Sequence, residues 1–289
     1  MATSNETPDT PSTGQRLAFI GTGNMNGAIL RGILAGGFDP QSITATVRGS
    51  EKAELLATDT GVATLATSED EKANRQAVAA ADIVFVGVKP VGIQDACRDI
   101  APALPERAVV VSVAAAVTIA MIEASLPEGQ SVVRAMPNTP LTVGKGVVAL
   151  AGGSSTSEAD LEAVSALLSG SGMVRVVSED QIDAVSAVSG SGPAYAFYLA
   201  EAMAAAGEEL GLETGLARDL ARATVAGAGV MLDEPHADPS ALRTAVTSPG
   251  GTTQAALEGF DAAGVRAGIG SGVKAASERA AQITRELAG

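Results

Sequence analysis

The chain has 289 residues, 46% of them apolar but only 2% aromatic, and 33 acidic residues against 19 basic ones give a formal net charge of −14. That length suits one large domain or two ordinary ones, and the scarcity of rings calls for a core of small side chains. The acidity argues against nucleic acid, which needs a basic face; no apolar run reaches the ~18 residues of a membrane span; and one His with one Cys offers no zinc-ligand pattern.

The first fifteen residues, "MATSNETPDTPSTGQ", lack the basic start and apolar stretch of a signal peptide and read as a solvated tail. The single Cys97 cannot form an intramolecular disulfide, which points to a reducing, cytoplasmic setting. From Arg16 to Ser178 strands and helices alternate. "RLAFIG" is a buried-strand run, followed by helical "NGAILRGILAGG" with a glycine stop and by a second strand, "SITATV". "DIVFVGV" (82–88), "AVVVSV" (108–113) and "SVVRAM" (131–136) come next, and "GVVALAG" and "MVRVV" close the series around the helix "SEADLEAVSALLSG". Such near-continuous apolar strands, separated by helices, predict an α/β domain over 16–178 with a mostly parallel sheet covered on both faces.

After Glu179 the strand signal vanishes. Helical patterns follow at 193–210, 214–233, 238–246, 252–263 and 264–287, so 179–289 reads as all-α. Small-residue faces such as "GAGV" and "GIGSGV" permit close backbone approach and suggest an extensive subunit interface. His236, in "DEPHADP", reads as an exposed turn residue.

"FIGTGNMNGAI" places Gly21 and Gly23 after the first strand and at the opening of a helix. Gly21 allows the tight turn, and Gly23 lets a pyrophosphate approach the helix N-terminus. The position of the usual third glycine is Asn26. An NAD-selecting site offers an acid at the end of the second strand, but here Thr46, Val47 and Arg48 stand there and the first acid is Glu51. Arg48 suits a 2′-phosphate or is simply solvated, so NADPH is preferred and NADH stays open. The strand ends Gly87–Pro90, Ser112–Ala116 and Arg134–Pro140 should line the same crevice. Lys89 ends its strand more plausibly as a cap or snorkelling side chain than as an acid.

With "RAMPNTP", "SGSGPAY" and "TSPGGTT" in order, the chain from Arg16 to Leu287 resembles the pyrroline-5-carboxylate reductases. The resemblance implies a Rossmann-type domain followed by a helical domain that forms a homodimer, in many relatives a pentamer of dimers. It implies metal-independent reduction of the C=N bond of L-1-pyrroline-5-carboxylate to L-proline with NADPH or NADH. By position, Ile20, Gly21, Thr22, Gly23, Asn24 and Met25 would bind the cofactor diphosphate, and Asn74 the adenosine ribose. Gly87, Val88, Lys89 and Pro90, with Val113, Ala114 and Ala115, would flank the nicotinamide half. Ser248, Gly250, Gly251, Thr252 and Thr253 would hold substrate, with Thr253 as the catalytic candidate. The chain departs from the family pattern at Asn26 and Ala116, where glycine is common, in "ATSEDEK" before Asn74, and at His236 and Asp238.

"SPGGTT" leading into "QAALEGF" can receive the substrate carboxylate, because Pro and two Gly free the backbone at a helix start whose N–H groups carry partial positive charge. The bland alternative is an ordinary capped helix. Two rival functions remain: a β-hydroxyacid dehydrogenase, which would need a catalytic lysine where this half has only Lys274, and a silent nucleotide sensor.

Overall fold

The computed structural model describes residues 14–288, so residues 1–13 of the expected tail lie outside the described residues. In chain order the elements are β1 (Leu17–Ile20), α1 (Asn24–Ala35), β2 (Ile43–Val47), α2 (Ser50–Thr60), β3 (Ala63–Ala66), α3 (Ala73–Val78), β4 (Ile83–Val86), α4 (Ile93–Ile100), β5 (Val109–Ser112), α5 (Ile119–Glu123), β6 (Ser131–Pro137), β7 (Gly146–Gly152), α6 (Glu158–Ser169) and β8 (Gly172–Val176). A short α7 (Ile182–Val185) runs into a π-helical turn at Ser186–Gly190. Then come α8 (Gly192–Glu209), α9 (Thr214–Leu232), α10 (Pro239–Ala245), α11 (Thr252–Ala262) and α12 (Val265–Ala288).

The eight strands form one sheet in the order β3-β2-β1-β4-β5-β6-β7-β8. Every neighbouring pair is parallel except β6 with β7. Successive residues of a strand point to opposite faces, so a strand covered on both sides must be apolar throughout. Leu17 and Phe19 of β1 enter one core with α1 and α6, while Ala18 and Ile20 enter a second core with α3 and α4. Phe19 and Phe85 sit in register on adjacent strands, their rings stacked at 4.8 Å. Cys97 of α4 lies wholly inside the second core, and burial pushes its thiol up to about 12.

Two compact units are present: one runs to Gly190 and takes in the last residues from Ser277, and the other is Ser191–Ala276. In the first, the buried Arg134 of β6 pairs with Glu179 at 3.1 Å and reaches Asp183 at 3.8 Å. Glu179 also accepts the Ile119 N–H, so one carboxylate ties the approach to α7 to the sheet and to α5. The second unit is helical. Its helices α8 and α9 approach through small residues: a Cβ on Gly207 would lie 3.3 Å from Ala217 Cβ. Few of its large apolar residues are covered within the chain: Phe197, Tyr198, Leu220, Met231 and Phe260 all stand exposed. No described helix is long and apolar enough to cross a membrane.

Candidate functional site

The strand order reverses between β1 and β4, and in an open α/β sheet the crevice beyond the carboxyl ends at that reversal receives the ligand. Ile20, Val86 and Ser112, the last residues of β1, β4 and β5, are level in the ladder. The loops after these strands therefore open on one edge. They carry the expected cofactor residues Ile20–Met25, Gly87–Pro90 and Val113–Ala115.

Gly21 is required twice over. Its φ is +72°, the left-handed region, and a Cβ there would collide with Val88 Cγ1 and approach the Val88 nitrogen to 3.3 Å. Gly23 differs. Its φ of −87° suits any residue, and an added Cβ would meet no described atom within 4 Å. The chain's own packing does not call for glycine at 23, which leaves room for an incoming group as the reason. Gly23 caps α1 without a side-chain hydrogen bond, so the first-turn N–H groups of Asn24 and Met25 have no capping partner and no acidic neighbour. Two uncommitted donors at the positive end of a helix fit a diphosphate.

Thr46 was not among the expected site residues, yet it builds the turn. Fully buried, it accepts the Gly21 N–H on Oγ1 at 3.1 Å and the Thr22 N–H on its carbonyl at 2.7 Å. Its hydroxyl donates to Asn74 Oδ1 at 2.9 Å, and Asn74 Nδ2 donates to Asp99 Oδ2 at 3.0 Å. Arg75 closes the chain on Asp99. Asn74, expected at the ribose, thus braces the turn through Thr46. The sequence signal was the hydroxyl residue standing where an acid is usual.

Arg48 follows β2, exposed and without a salt bridge among the described residues; beside it, Gly49 caps α2 with no side-chain bond. Lys89 is exposed and makes no side-chain cap for the short turn it precedes, and Pro90 is exposed too. Val113 and Ala114 are buried in opposite cores, so only their backbone and the exposed Ala115 can face a ligand. Ala116 holds φ +63°, which explains why glycine suits that position. Asn26 is completely buried, its Nδ2 donating to the Ile20 and Phe85 carbonyls at 3.2 and 3.3 Å.

In the helical unit, the segment before α11 turns as its glycines allow. Gly250 has φ +70°, its N–H donates to Gln254 Oε1 at 2.8 Å, and the Gly251 N–H donates to the Ser248 carbonyl at 3.0 Å. Gly251 then caps α11 with no side-chain hydrogen bond and no acid in the first turn. The helix start is thus not closed by a Ser or Thr cap, and Thr252 and Thr253 sit in its first turn, Thr253 half-buried and Ser248 exposed. Asp238 has a different job: it caps α10, accepting the Ser240 and Ala241 N–H groups at 3.1 and 3.2 Å. His236 is exposed at φ +66°. Pro193 is the second residue of α8, shortly after the π-helical turn. No described group of three His, Cys, Asp or Glu side chains is placed to hold a metal.

Residues 179–283 match the family model described as pyrroline-5-carboxylate reductase dimerisation, and residues 16–116 match one described as NADP oxidoreductase coenzyme F420-dependent. A pyrroline-5-carboxylate reductase of Pseudomonas aeruginosa is 40% identical over 94% of this chain and 98% of its own. The solved structure of a pyrroline-5-carboxylate reductase from Coxiella burnetii is 36% identical with a TM-score of 0.86, covering 93% of this chain and 98% of that one. A Plasmodium falciparum pyrroline carboxylate reductase, solved with NADP bound, shares the fold at 23% identity and a TM-score of 0.79, covering 94% and 98%.

Proposed function

From its membership of the pyrroline-5-carboxylate reductase family, to which this chain belongs, we infer that it reduces L-1-pyrroline-5-carboxylate to L-proline with a reduced pyridine nucleotide. When bound, the reduced nicotinamide supplies the hydride that the imine carbon takes up. The observation that carries the reading within this chain is the pair of helix starts left without side-chain caps, α1 behind Gly23 and α11 behind Gly251. Each offers unsatisfied N–H donors and a positive dipole end, the first suited to a diphosphate and the second to a small carboxylate.

On the cofactor side, Ile20–Met25 hold the diphosphate, with Gly23 giving the space and Gly21 the turn. Thr46 and Asn74 keep that turn in shape from below. Arg48, unpaired and next to the start of α2, takes the 2′-phosphate through its forked donor, which favours NADPH over NADH. Gly87–Pro90 and Val113–Ala115 line the nicotinamide end.

On the substrate side, Ser248, Gly250, Gly251, Thr252 and Thr253 receive the pyrroline. The backbone N–H groups at the head of α11 bind its carboxylate. Thr253 Oγ1 hydrogen-bonds the ring nitrogen, orienting the protonated imine or relaying a proton from water, since a hydroxyl is itself a weak acid at neutral pH. Proton placement at nitrogen makes the neighbouring carbon more electrophilic, and the rest of the protein's task is alignment.

The enzyme works as a homodimer through the helical unit, with a pentamer of dimers as the higher assembly. The exposed large apolar side chains of α8, α9 and α11 support the dimer, because covering them against a second copy removes apolar area from water. The reaction is assigned to the cytoplasm on the single, unpaired cysteine.

Steady-state oxidation of NADPH and of NADH, each with and without pyrroline-5-carboxylate, tests the assignment. Substrate-dependent oxidation that is more efficient with NADPH is expected. Cofactor binding without such oxidation would instead mark a nucleotide sensor.

A further inference from the structure

Asn26 occupies the helix position at which a nucleotide-binding turn ordinarily has its third glycine, and it is completely buried. Its amide reaches across the point where the strand order reverses. Nδ2 donates to the carbonyl of Ile20, the last residue of β1, and to that of Phe85, next to last in β4. Those two strands carry the loops on either side of the crevice. One side chain therefore ties the turn holding Gly21 and Gly23 to the loop beginning at Gly87.

Gly87 is the other half of the arrangement. A Cβ added there would run into the Asn26 amide, 2.5 Å from Nδ2 and 2.6 Å from Oδ1. Unlike at Gly21, no positive φ demands glycine at 87. The space taken by the Asn26 side chain is the reason for it. Asn26 Oδ1, meanwhile, has no hydrogen-bond partner, and a buried amide left half satisfied is an uneconomical way merely to fill a gap. A small apolar residue would fill it without an orphaned oxygen.

We propose that Asn26 and Gly87 form a size-matched lock that fixes the spacing between the diphosphate turn and the nicotinamide-end loop, with Asn26 as a positioning residue for the cofactor. The proposal rests on the crevice being the cofactor site. Loosening the lock removes no cofactor contact; it leaves the two loops to be ordered at the moment of binding, which weakens affinity. The clash is relieved from either side: Asn26→Gly clears the space that a methyl at 87 would enter, although it does not return the two amide hydrogen bonds.

The test is a double-mutant cycle on the full-length protein, with Asn26→Gly, Gly87→Ala and the combined variant. NADPH affinity is read by fluorescence titration and cofactor-free stability by thermal denaturation, and Asn26→Ala supplies the kinetic arm. Gly87→Ala should bind NADPH at least a hundredfold more weakly than wild type, or fail to fold, while Asn26→Gly and the combined variant both fold and bind it about tenfold more weakly, the methyl at 87 costing nothing further once Asn26 is gone. Asn26→Ala should raise the KM for NADPH about tenfold while kcat and the pyrroline KM stay within twofold. A structural role alone would lower the melting temperature and leave that KM in place. Normal NADPH binding by Gly87→Ala, or no recovery in the combined variant, overturns the lock and leaves the cofactor assignment standing. Failure of the folded wild-type protein to bind NADPH overturns both.

Discussion

Two glycines two residues apart give the same substitution opposite consequences. In Gly23→Ala the new methyl meets no described atom within 4 Å and φ is already −87°. Restricting the unfolded chain contributes about 0.4–1 kcal/mol of stability. Alanine is a poorer helix cap than glycine by about 0.5 kcal/mol, so the net change is near zero. On the proposed reading the methyl would stand where the diphosphate approaches the start of α1, and NADPH affinity should fall at least tenfold, or about 1.4 kcal/mol. In Gly21→Ala the methyl forces a left-handed φ of +72° on a residue with a Cβ and strikes Val88. Left-handed backbone costs about 1–2 kcal/mol and overpacking about 1–3, which together predict a loss of roughly 2–5 kcal/mol. Thermal denaturation without cofactor, with an NADPH titration of each variant, separates the two. Wild-type affinity in a stable Gly23→Ala protein would refute the reasoning, because no described neighbour needs that glycine.

The other perturbations are as specific. Arg48→Ala should lower the NADPH-to-NADH preference roughly tenfold, about 1.4 kcal/mol, through the NADPH term alone; an unchanged ratio of kcat/KM values removes Arg48 from the 2′-phosphate. Arg134 is buried while Glu179 and Asp183 are about one-third exposed, so the ion pair should break asymmetrically. The double change Glu179→Gln, Asp183→Asn strands a buried cation and should cost about 3–5 kcal/mol by urea denaturation, whereas Arg134→Met, leaving carboxylates that water can reach, should cost about 1–2 kcal/mol. Equal losses would contradict that picture. Cys97 should resist thiol reagents at neutral pH until the protein unfolds, since burial holds its thiol at about 12 against an ordinary 9.0. The folded state keeps this proton where the unfolded chain releases it, so the contribution to stability is intact below pH 9 and is lost as pH rises toward 12. Cys97→Ala should show a shallower alkaline decline.

Seven of the eight strands were legible in the sequence, most plainly β1, β4 and β5, where both faces are buried and the apolar run is nearly unbroken. The edge strand β3 escaped because "ATLA" is short, half exposed and lies beside α2 with only β2 as a neighbour. Reading the loops after β1 and β4 as one crevice needed only the alternation of strands and helices. The Thr46–Asn74–Asp99 brace was not legible, since its members lie 28 and 25 residues apart and hydroxyl or amide residues carry no periodic signal. Asn26 read as a departure from a glycine pattern; only the space at Gly87, 61 positions further on, gives it a purpose. "SPGGTT" announced a helix start, but whether a side chain closed that start is a matter of geometry, and none does.

The central claim is that the head of α11 receives the pyrroline and that Thr253 addresses its nitrogen. Its most direct test is single-substitution kinetics of Thr253→Ala with pyrroline-5-carboxylate, alongside an NADPH titration of the same variant. A marked fall in kcat with nearly unchanged NADPH affinity is predicted. Full turnover by Thr253→Ala would contradict the role assigned to that hydroxyl.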